Sequence, residues 1–204
     1  MKIFIAILIT GILTENYVLS KFLGICPFLG VSKKTNTAMG MSLAVTFVMV
    51  LATAVTYPIN QYILVKFNLE YLQTIVFILV IAALVQLVET ILKKYMPPLY
   101  KSLGIYLPLI TTNCCVLGVV ILNIGSVVIL GQETHYTYVQ SLINSLGAGL
   151  GFMLAMFLFS GVRERLESCD IPESLKGLPI TLIAASLVSL SFLGFTGIVD
   201  GMLA

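Results

Sequence analysis

The sequence predicts an all-α integral membrane protein of six transmembrane helices, arranged as a 3+3 inverted repeat with interrupted first and fourth helices. Three observations predict this fold class. The 204 residues are 59% hydrophobic and 10% charged, with a mean hydropathy of +1.07, which is too apolar for a soluble domain of this length. Six apolar runs reach the length of about 20 residues that a membrane helix needs. A short cysteine motif also occurs twice, once in each half of the chain.

The six predicted spans follow from reading the chain in windows of about 20 residues. They are Ile3–Gly24, Ala38–Tyr57, Tyr71–Leu92, Leu103–Ile124, Tyr138–Val162 and Leu178–Leu203. The chain lacks the alternating segments of about ten residues that are typical of a membrane β-barrel. Its start resembles a signal peptide, but no small-residue cleavage site follows, so we assign it to the first span. We expect one membrane domain with half-repeats of residues 1–95 and 96–204.

The basic residues predict the orientation of the spans, because cytoplasmic loops carry an excess of lysine and arginine. The loops on one side hold Lys33, Lys34, Lys93, Lys94, Lys101, Arg163, Arg165 and Lys176. The opposite side holds only Lys2 and Lys66, while Lys21 falls inside the first span. Both termini are therefore expected on the non-cytoplasmic side. The net charge of +2 comes from these loop residues and indicates no nucleic-acid partner.

The repeated motif is CPFLGV at residues 26–31 and CCVLGV at residues 114–119. The copies lie at the end of the first span and midway through the fourth, and these two spans are equivalent if each half contains three spans. An odd number of spans per half makes the second half enter the membrane from the opposite side. A weaker similarity between residues 40–52 and 147–159, in the second span of each half, supports an inverted repeat. Such repeats place binding sites at interrupted helices around a pseudo-two-fold axis.

Residues that interrupt helices occur in both motif-bearing spans. The first span and its exit carry Gly11, Glu15, Asn16, Lys21, Gly24 and Pro27, and the fourth span carries Pro108, Thr111, Thr112 and Asn113. Freed backbone groups at such breaks must be covered by protein, since lipid offers no hydrogen bonds. We therefore expect Cys26 and Cys114 to lie near the pseudo-two-fold axis, each at a helix break.

The shared motif favours a functional pair of cysteines, Cys26 and Cys114. Thiolates are soft ligands that select zinc, copper or an iron–sulfur cluster, and two of them are half of a four-thiolate site. A disulfide and a redox-active dithiol are alternatives that the residues leave open. Cys115 points about 100° away from Cys114 on a helix and is expected to pack in the core. Cys169 lies in an inner loop and is expected to be a free cytoplasmic thiol.

Glu15 and Lys21 are the two clearly intramembrane charges. Such residues are costly in lipid and normally face the bundle interior or water, which makes them candidates for an ion path. The alternative is that both extend to the membrane interface. Glu89 is expected at the inner interface, and His135 is expected to be solvated on the outer side. No nucleotide-binding, zinc-protease or serine-nucleophile signature is present.

The two cysteine segments resemble the A subunit of the Rnf electron-transport complex (the RnfA, or RsxA, family). They are ENYVLSKFLGICPFLGVSKK at 15–34 and LGIYLPLITTNCCVLGV at 103–119, supported by IVFILVIAALVQLVE, GVRERL and LVSLSFLGFTGIV. The resemblance covers essentially the whole chain. Pro27 and Gly30 favour this family over the sibling NqrE family, in which threonine and alanine are expected there. Two departures are Cys115, where alanine is usual, and a longer Gly125–Thr137 loop.

The resemblance implies a subunit that is not catalytic alone but belongs to an ion-translocating oxidoreductase of the bacterial inner membrane. That complex couples electron flow between ferredoxin and NAD to translocation of Na⁺ or H⁺. It implies a paralogous six-span RnfE-like partner of opposite orientation, further Rnf subunits (B, C, D and G) and surrounding membrane lipid. Each paralogue is expected to give two cysteines, here Cys26 and Cys114, to one shared 2Fe–2S cluster. An NqrE-like subunit of a sodium-pumping NADH:quinone reductase and a secondary ion transporter are the alternatives.

Overall fold

The computed structural model of the chain describes residues 2–14, 16–32, 35–67, 69–95, 109–110, 113–125, 127–129, 132–134 and 136–194. The helices in these residues are α1 Lys2–Ile9, α2 Ile25–Val31, α3 Thr35–Ile59, α4 Gln73–Tyr95, α5 Cys114–Ile124, α6 Tyr138–Glu167 and α7 Leu178–Leu193. Thr10–Thr14 extends α1 and Asn60–Leu64 extends α3, both as π-helical turns, and 3₁₀ turns lie at Glu70–Leu72 and Glu173–Leu175. The strands are β1 Val127–Ile129 and β2 Gln132–Thr134.

Among the described residues, three helices are long and apolar enough to cross a membrane: Thr37–Leu64, Gln73–Ile91 and Tyr138–Leu166. They confirm the predicted second, third and fifth spans. The shorter apolar helices α5 and α7 lie within the predicted fourth and sixth spans, whose remaining residues are only partly described. The protein is therefore a helical membrane protein with several apolar helices.

The predicted first span, Ile3–Gly24, is not one helix. Its helical part ends at Thr14, and residues 16–24 form turns before α2 begins. The buried Asn16 stabilises these turns, because its Oδ1 accepts hydrogen bonds from the backbone N–H groups of Val18 (3.1 Å) and Leu19 (3.4 Å). Asparagine commonly offers the backbone this local alternative to a helix. The predicted interruption is thus present, and it is wide enough to divide the span.

A short hairpin occupies part of the segment Gly125–Thr137, which was expected to be an outer loop. β1 and β2 pair antiparallel, with Val127 opposite Thr134 and Ile129 opposite Gln132. The valines and isoleucine of β1 are residues that favour strands. The all-α prediction therefore holds except for this hairpin, while His135 lies outside the described residues.

The core lies between α3 and α6, which pack along most of their lengths. Buried side chains on α3 recur every three or four residues, as one face of a helix requires. They are Met41, Val45, Met49 and Ala52, and they share one core with Phe152, Ala155, Met156 and Phe159 of α6. The two helices run antiparallel, because the Thr53 and Ser145 hydroxyls are 2.6 Å apart and Tyr57 donates to the backbone oxygen of Tyr136 at 2.9 Å.

Helix α4 packs by one narrow face. Phe77, Ile81 and Val85 are buried at a spacing of four residues, whereas large apolar side chains elsewhere on the helix are exposed. The exposed ones include Ile75, Ile78, Leu79, Leu87 and Ile91. An apolar exposed surface of this extent suits a helix that faces lipid.

Candidate metal centre

The first copy of the motif begins immediately after a sharp turn. Gly24 has φ +83°, a left-handed conformation that favours glycine, and α2 starts at the next residue. Cys26 is therefore the second residue of α2, and its side chain is exposed. The turn positions the cysteine at the beginning of a helix instead of inside one.

The second copy begins in a similar way. Cys114 is the first residue of α5 and is exposed, whereas its neighbour Cys115 is fully buried. Asn113 caps the helix, because its backbone is extended and its Oδ1 accepts the N–H of Cys115 at 3.0 Å. The burial of Cys115 agrees with its predicted packing role, so the exposed thiol of this pair is Cys114.

The two copies lie against each other. A Cβ added at Gly24 would lie 3.0 Å from Oδ1 of Asn113 and 3.0 Å from Cβ of Cys115. A Cβ added at Gly118 would lie 2.5 Å from Cδ1 of Leu23. The residues that precede Cys26 therefore contact the residues that flank Cys114, and the absence of side chains at these two glycines permits that approach.

Both breaks lie level with the middle of α6. Phe152, near the midpoint of this 30-residue helix, has its Cε2 atom 3.1 Å from the Cβ position of Gly24. Asn16 Nδ2 donates to the backbone oxygen of Gly151 at 2.9 Å, which holds the first break at the same level. A helix of that length is about 45 Å long and exceeds the hydrocarbon core of about 30 Å. The motif cysteines therefore lie near the centre of the membrane if α6 spans it symmetrically.

The cysteine chemistry fits half of a cluster site. None of the four cysteines, all of which the structure describes, forms a disulfide. Within the described part of the chain, no three His, Cys, Asp or Glu side chains form a group that could hold a metal ion. Two exposed thiols at adjoining helix starts are thus the available soft ligands, and a four-thiolate site needs two more from elsewhere.

A cleft of about 750 Å³ lies between Cys26 and the C-terminal end of α6, a feature the sequence reasoning missed. Its lining includes Cys169 and Arg163. Arg163 Nη1 donates to the backbone oxygen of Leu29 and to Oγ of Ser32 (2.9 Å), which holds the end of α2 against α6. The conspicuous stretch GVRERL, which contains Arg163, was the only sequence signal for this contact.

Cys169 is exposed, as expected for a loop thiol. Its S–H donates to the backbone oxygen of Arg165 at 3.4 Å, and its side chain lines the same cleft as Cys26. Sequence reasoning treated Cys169 as unrelated to the motif cysteines because it lies outside both motif copies. The proximity of Cys169 to Cys26 depends on how α6 packs against α2.

Of the two predicted intramembrane charges, the structure describes Lys21. Its side chain is exposed, and Nζ lies 5.3 Å from the centroid of the Tyr17 ring, within the range of a cation–π interaction. Glu15 lies outside the described residues. A role for either residue in an ion path stays a prediction.

Comparisons with known proteins match this chain over nearly its full length. The family model described as Rnf-Nqr subunit, membrane protein, matches residues 4–199. The A subunit of the Na⁺-translocating ferredoxin:NAD⁺ oxidoreductase complex of Acetobacterium woodii is 56% identical over 95% of this chain and 96% of its own. Proteins named as the A subunit of an ion-translocating oxidoreductase complex are 53% identical in Syntrophotalea carbinolica and 51% identical in Shewanella oneidensis. Each match covers 98% of this chain and 100% of the relative.

Proposed function

Because this chain belongs to the Rnf-Nqr family of membrane subunits, we propose that it is the A subunit of an ion-translocating ferredoxin:NAD oxidoreductase complex. In this role it transfers electrons within the membrane and contributes to the translocation of Na⁺ or H⁺, but it is not catalytic alone. The observation that carries the proposal is the contact between the two motif copies, which brings two exposed cysteines to adjoining helix starts.

Cys26 and Cys114 are the proposed ligands, and they bind one 2Fe–2S cluster together with two cysteines of an RnfE-like paralogue. When bound, such a cluster accepts and releases one electron at a time. The exposure of both thiols supports a cluster that is shared with a second chain, since a site completed within one chain would enclose its ligands. The position of the two motif copies near the middle of α6 suits a carrier that must relay electrons between the two membrane surfaces.

Neighbouring residues of this chain position the two thiols. Asn113 starts α5 directly before Cys114, and the turn at Gly24 starts α2 before Cys26. Asn16 and Arg163 attach the two ends of the segment that carries Cys26 to α6. Because these attachments are hydrogen bonds between this segment and a long helix, they limit the movement of the ligands during electron transfer.

The proposed architecture is a six-span 3+3 inverted repeat with both termini on the non-cytoplasmic side of the bacterial inner membrane. Support comes from α3 and α6, which contain the weakly similar stretches 40–52 and 147–159 and pack antiparallel. Antiparallel packing of equivalent helices is what an inverted repeat requires. The charge bias of the loops then determines the side on which the termini lie.

Co-expression tests the shared site. We expect the chain expressed without a paralogue to be colourless, and the chain co-expressed with a six-span partner of opposite loop charge to carry about two irons per pair. Cys26→Ser and Cys114→Ser should each remove the 2Fe–2S electron paramagnetic resonance signal and stop ferredoxin-dependent NAD reduction. The controls Cys115→Ala and Cys169→Ser should retain both. Brown, iron-loaded protein from cells lacking any paralogue would contradict a shared cluster.

A secondary ion transporter is the competing function, since the interrupted helices are also typical of transporters. The same purified material distinguishes the two. A colourless complex that exchanges an ion without ferredoxin or NAD would support the transporter, whereas visible absorbance bleached by dithionite supports electron transfer. An NqrE-like role is distinguished by assaying quinone in place of ferredoxin as the electron-transfer partner.

A further inference from the structure

A cluster of buried polar side chains lies at and beside the N-terminal half of α6. It is built from four separate segments of the chain, and each member is at most 5% exposed. The members, here called the polar cluster, are Tyr17, Thr53, Asn123, Ser141, Asn144 and Ser145. Polar residues inside a membrane protein are costly and commonly functional, so this cluster needs an explanation beyond packing.

The polar cluster is continuous. Asn144 Nδ2 donates to the Tyr17 hydroxyl (3.2 Å) and to Oδ1 of Asn123 (2.7 Å). Asn123 Nδ2 donates to Oγ of Ser145 (2.8 Å), which lies 2.6 Å from Oγ1 of Thr53. These contacts form an unbroken chain of polar atoms from Tyr17 to Thr53.

The hydroxyl groups of Thr53 and Ser141 in the polar cluster have unused oxygen lone pairs. Ser145 donates to the backbone oxygen of Ser141 at 2.9 Å, so the Thr53 hydroxyl must donate to Ser145. Thr53 Oγ1 then keeps its lone pairs. Ser141 Oγ is buried and has no hydrogen-bond partner in the part of the chain that the structure describes. Buried polar atoms are rarely left without a hydrogen-bond partner unless a water or an ion occupies the site.

The polar cluster reaches a cleft through Asn123, a middle member of the chain of contacts. Asn123 lines an opening of about 670 Å³ together with Tyr57, Asn60, Gln61 and Tyr136. This cleft lies beside the start of α6, which the loop charges assign to the non-cytoplasmic side. One end of the chain of contacts is Tyr17, adjacent to the Asn16 that bonds to Gly151 at the level of the helix breaks. The cluster thus connects an outer cleft to the neighbourhood of the motif cysteines.

We infer that the polar cluster is a binding site for a small monovalent metal cation on its way between the outer cleft and the membrane centre. The inference rests on the proposed function, because ion translocation supplies the reason for such a site. Hydroxyl and amide oxygens are hard, neutral ligands that suit a sodium ion. The six members include no carboxylate or imidazole that could relay a proton, and the Ser141 hydroxyl and the lone pairs of Thr53 Oγ1 are oxygen ligands that remain for an ion.

Sodium uptake by the whole complex in proteoliposomes, driven by reduced ferredoxin and NAD, tests this inference. Ser141→Ala removes a hydroxyl that has no hydrogen-bond partner among the described residues, and Thr53→Val removes a hydroxyl without changing side-chain size. The matched control is Thr56→Val on the same helix, because Thr56 is equally buried and donates to the backbone oxygen of Ala52 within its own helix. All three variants should assemble and keep the 2Fe–2S signal.

We expect Ser141→Ala and Thr53→Val to raise the sodium concentration for half-maximal uptake by about three- to tenfold, the effect of losing one polar ligand. Thr56→Val should leave both this concentration and the rate of electron transfer unchanged. Unchanged sodium dependence in both cluster variants, or an equal shift in Thr56→Val, overturns the site. Proton uptake without sodium uptake by the wild-type complex overturns it as well. Failure of the proposed function would look different, because the wild-type complex would then lack the cluster signal and ferredoxin-dependent NAD reduction.

Discussion

Substitution of Gly24 by alanine tests whether the contact between the two motif copies builds the metal centre. At φ +83° an alanine is disfavoured by about 1–2 kcal/mol, because its Cβ crowds the backbone. That Cβ would also lie 3.0 Å from Asn113 Oδ1 and from Cys115 Cβ, and such overpacking costs about 1–3 kcal/mol. The combined effect of about 2–5 kcal/mol exceeds what one buried contact normally contributes and must move α5 away from the turn.

The expected result for Gly24→Ala is a lower thermal denaturation midpoint, by on the order of 10 °C, together with a reduced 2Fe–2S signal per assembled complex. The control is Gly40→Ala in α3. Gly40 is exposed, and no described atom lies within 4 Å of its Cβ position, so alanine should be neutral or stabilise the helix by up to about 1 kcal/mol. Thermal scans in detergent and iron quantification on the same samples provide both measurements. If Gly24→Ala behaves like Gly40→Ala in both measurements, the two motif copies do not form one site and the reasoning from their contact is wrong.

Two further predictions concern the C-terminal end of α6 and the membrane topology. Arg163→Gln removes the hydrogen bonds that hold α2 and should destabilise the complex by about 1–3 kcal/mol in thermal scans. Arg165 is exposed, so Arg165→Gln should have little effect, and equal destabilisation by both variants would assign the effect to the loss of positive charge at this end of α6. A reporter that works only outside the cytoplasm should be active when fused after Ala204; activity of a cytosol-dependent reporter there would reverse the orientation.

The sequence predicted the long helices better than it predicted the contacts between separate segments of the chain. The spans in α3, α4 and α6 were recognisable because each is an uninterrupted apolar run of sufficient length. The buried position of Cys115 was also predictable, since adjacent residues on a helix point in different directions. The contact between Gly24 and Asn113 was not predictable, because it joins residues 89 positions apart that share no local pattern.

The polar cluster escaped prediction for a related physical reason. Thr53 and Asn123 each stand among apolar neighbours, where a single polar residue is compatible with a helix that bonds only to itself. Only the antiparallel packing of α3 and α6, with α5 beside them, places these side chains within hydrogen-bonding distance. The hairpin at β1 was missed because short strands between glycines resemble loop sequences.

The turn segment 16–24 links the two proposed sites, and this link makes their tests separable. At one end Asn16 bonds to α6 and the adjacent Tyr17 accepts a hydrogen bond from Asn144 in the polar cluster. At the other end Gly24 contacts Asn113, two residues before Cys26 begins the first motif. Displacement of this segment by Gly24→Ala should therefore change the iron signal and the sodium dependence together. Ser141→Ala acts on α6 away from the segment and should change sodium dependence alone. A complex in which Ser141→Ala also lowers iron occupancy would show that the polar cluster supports the fold of the metal centre and does not bind the ion.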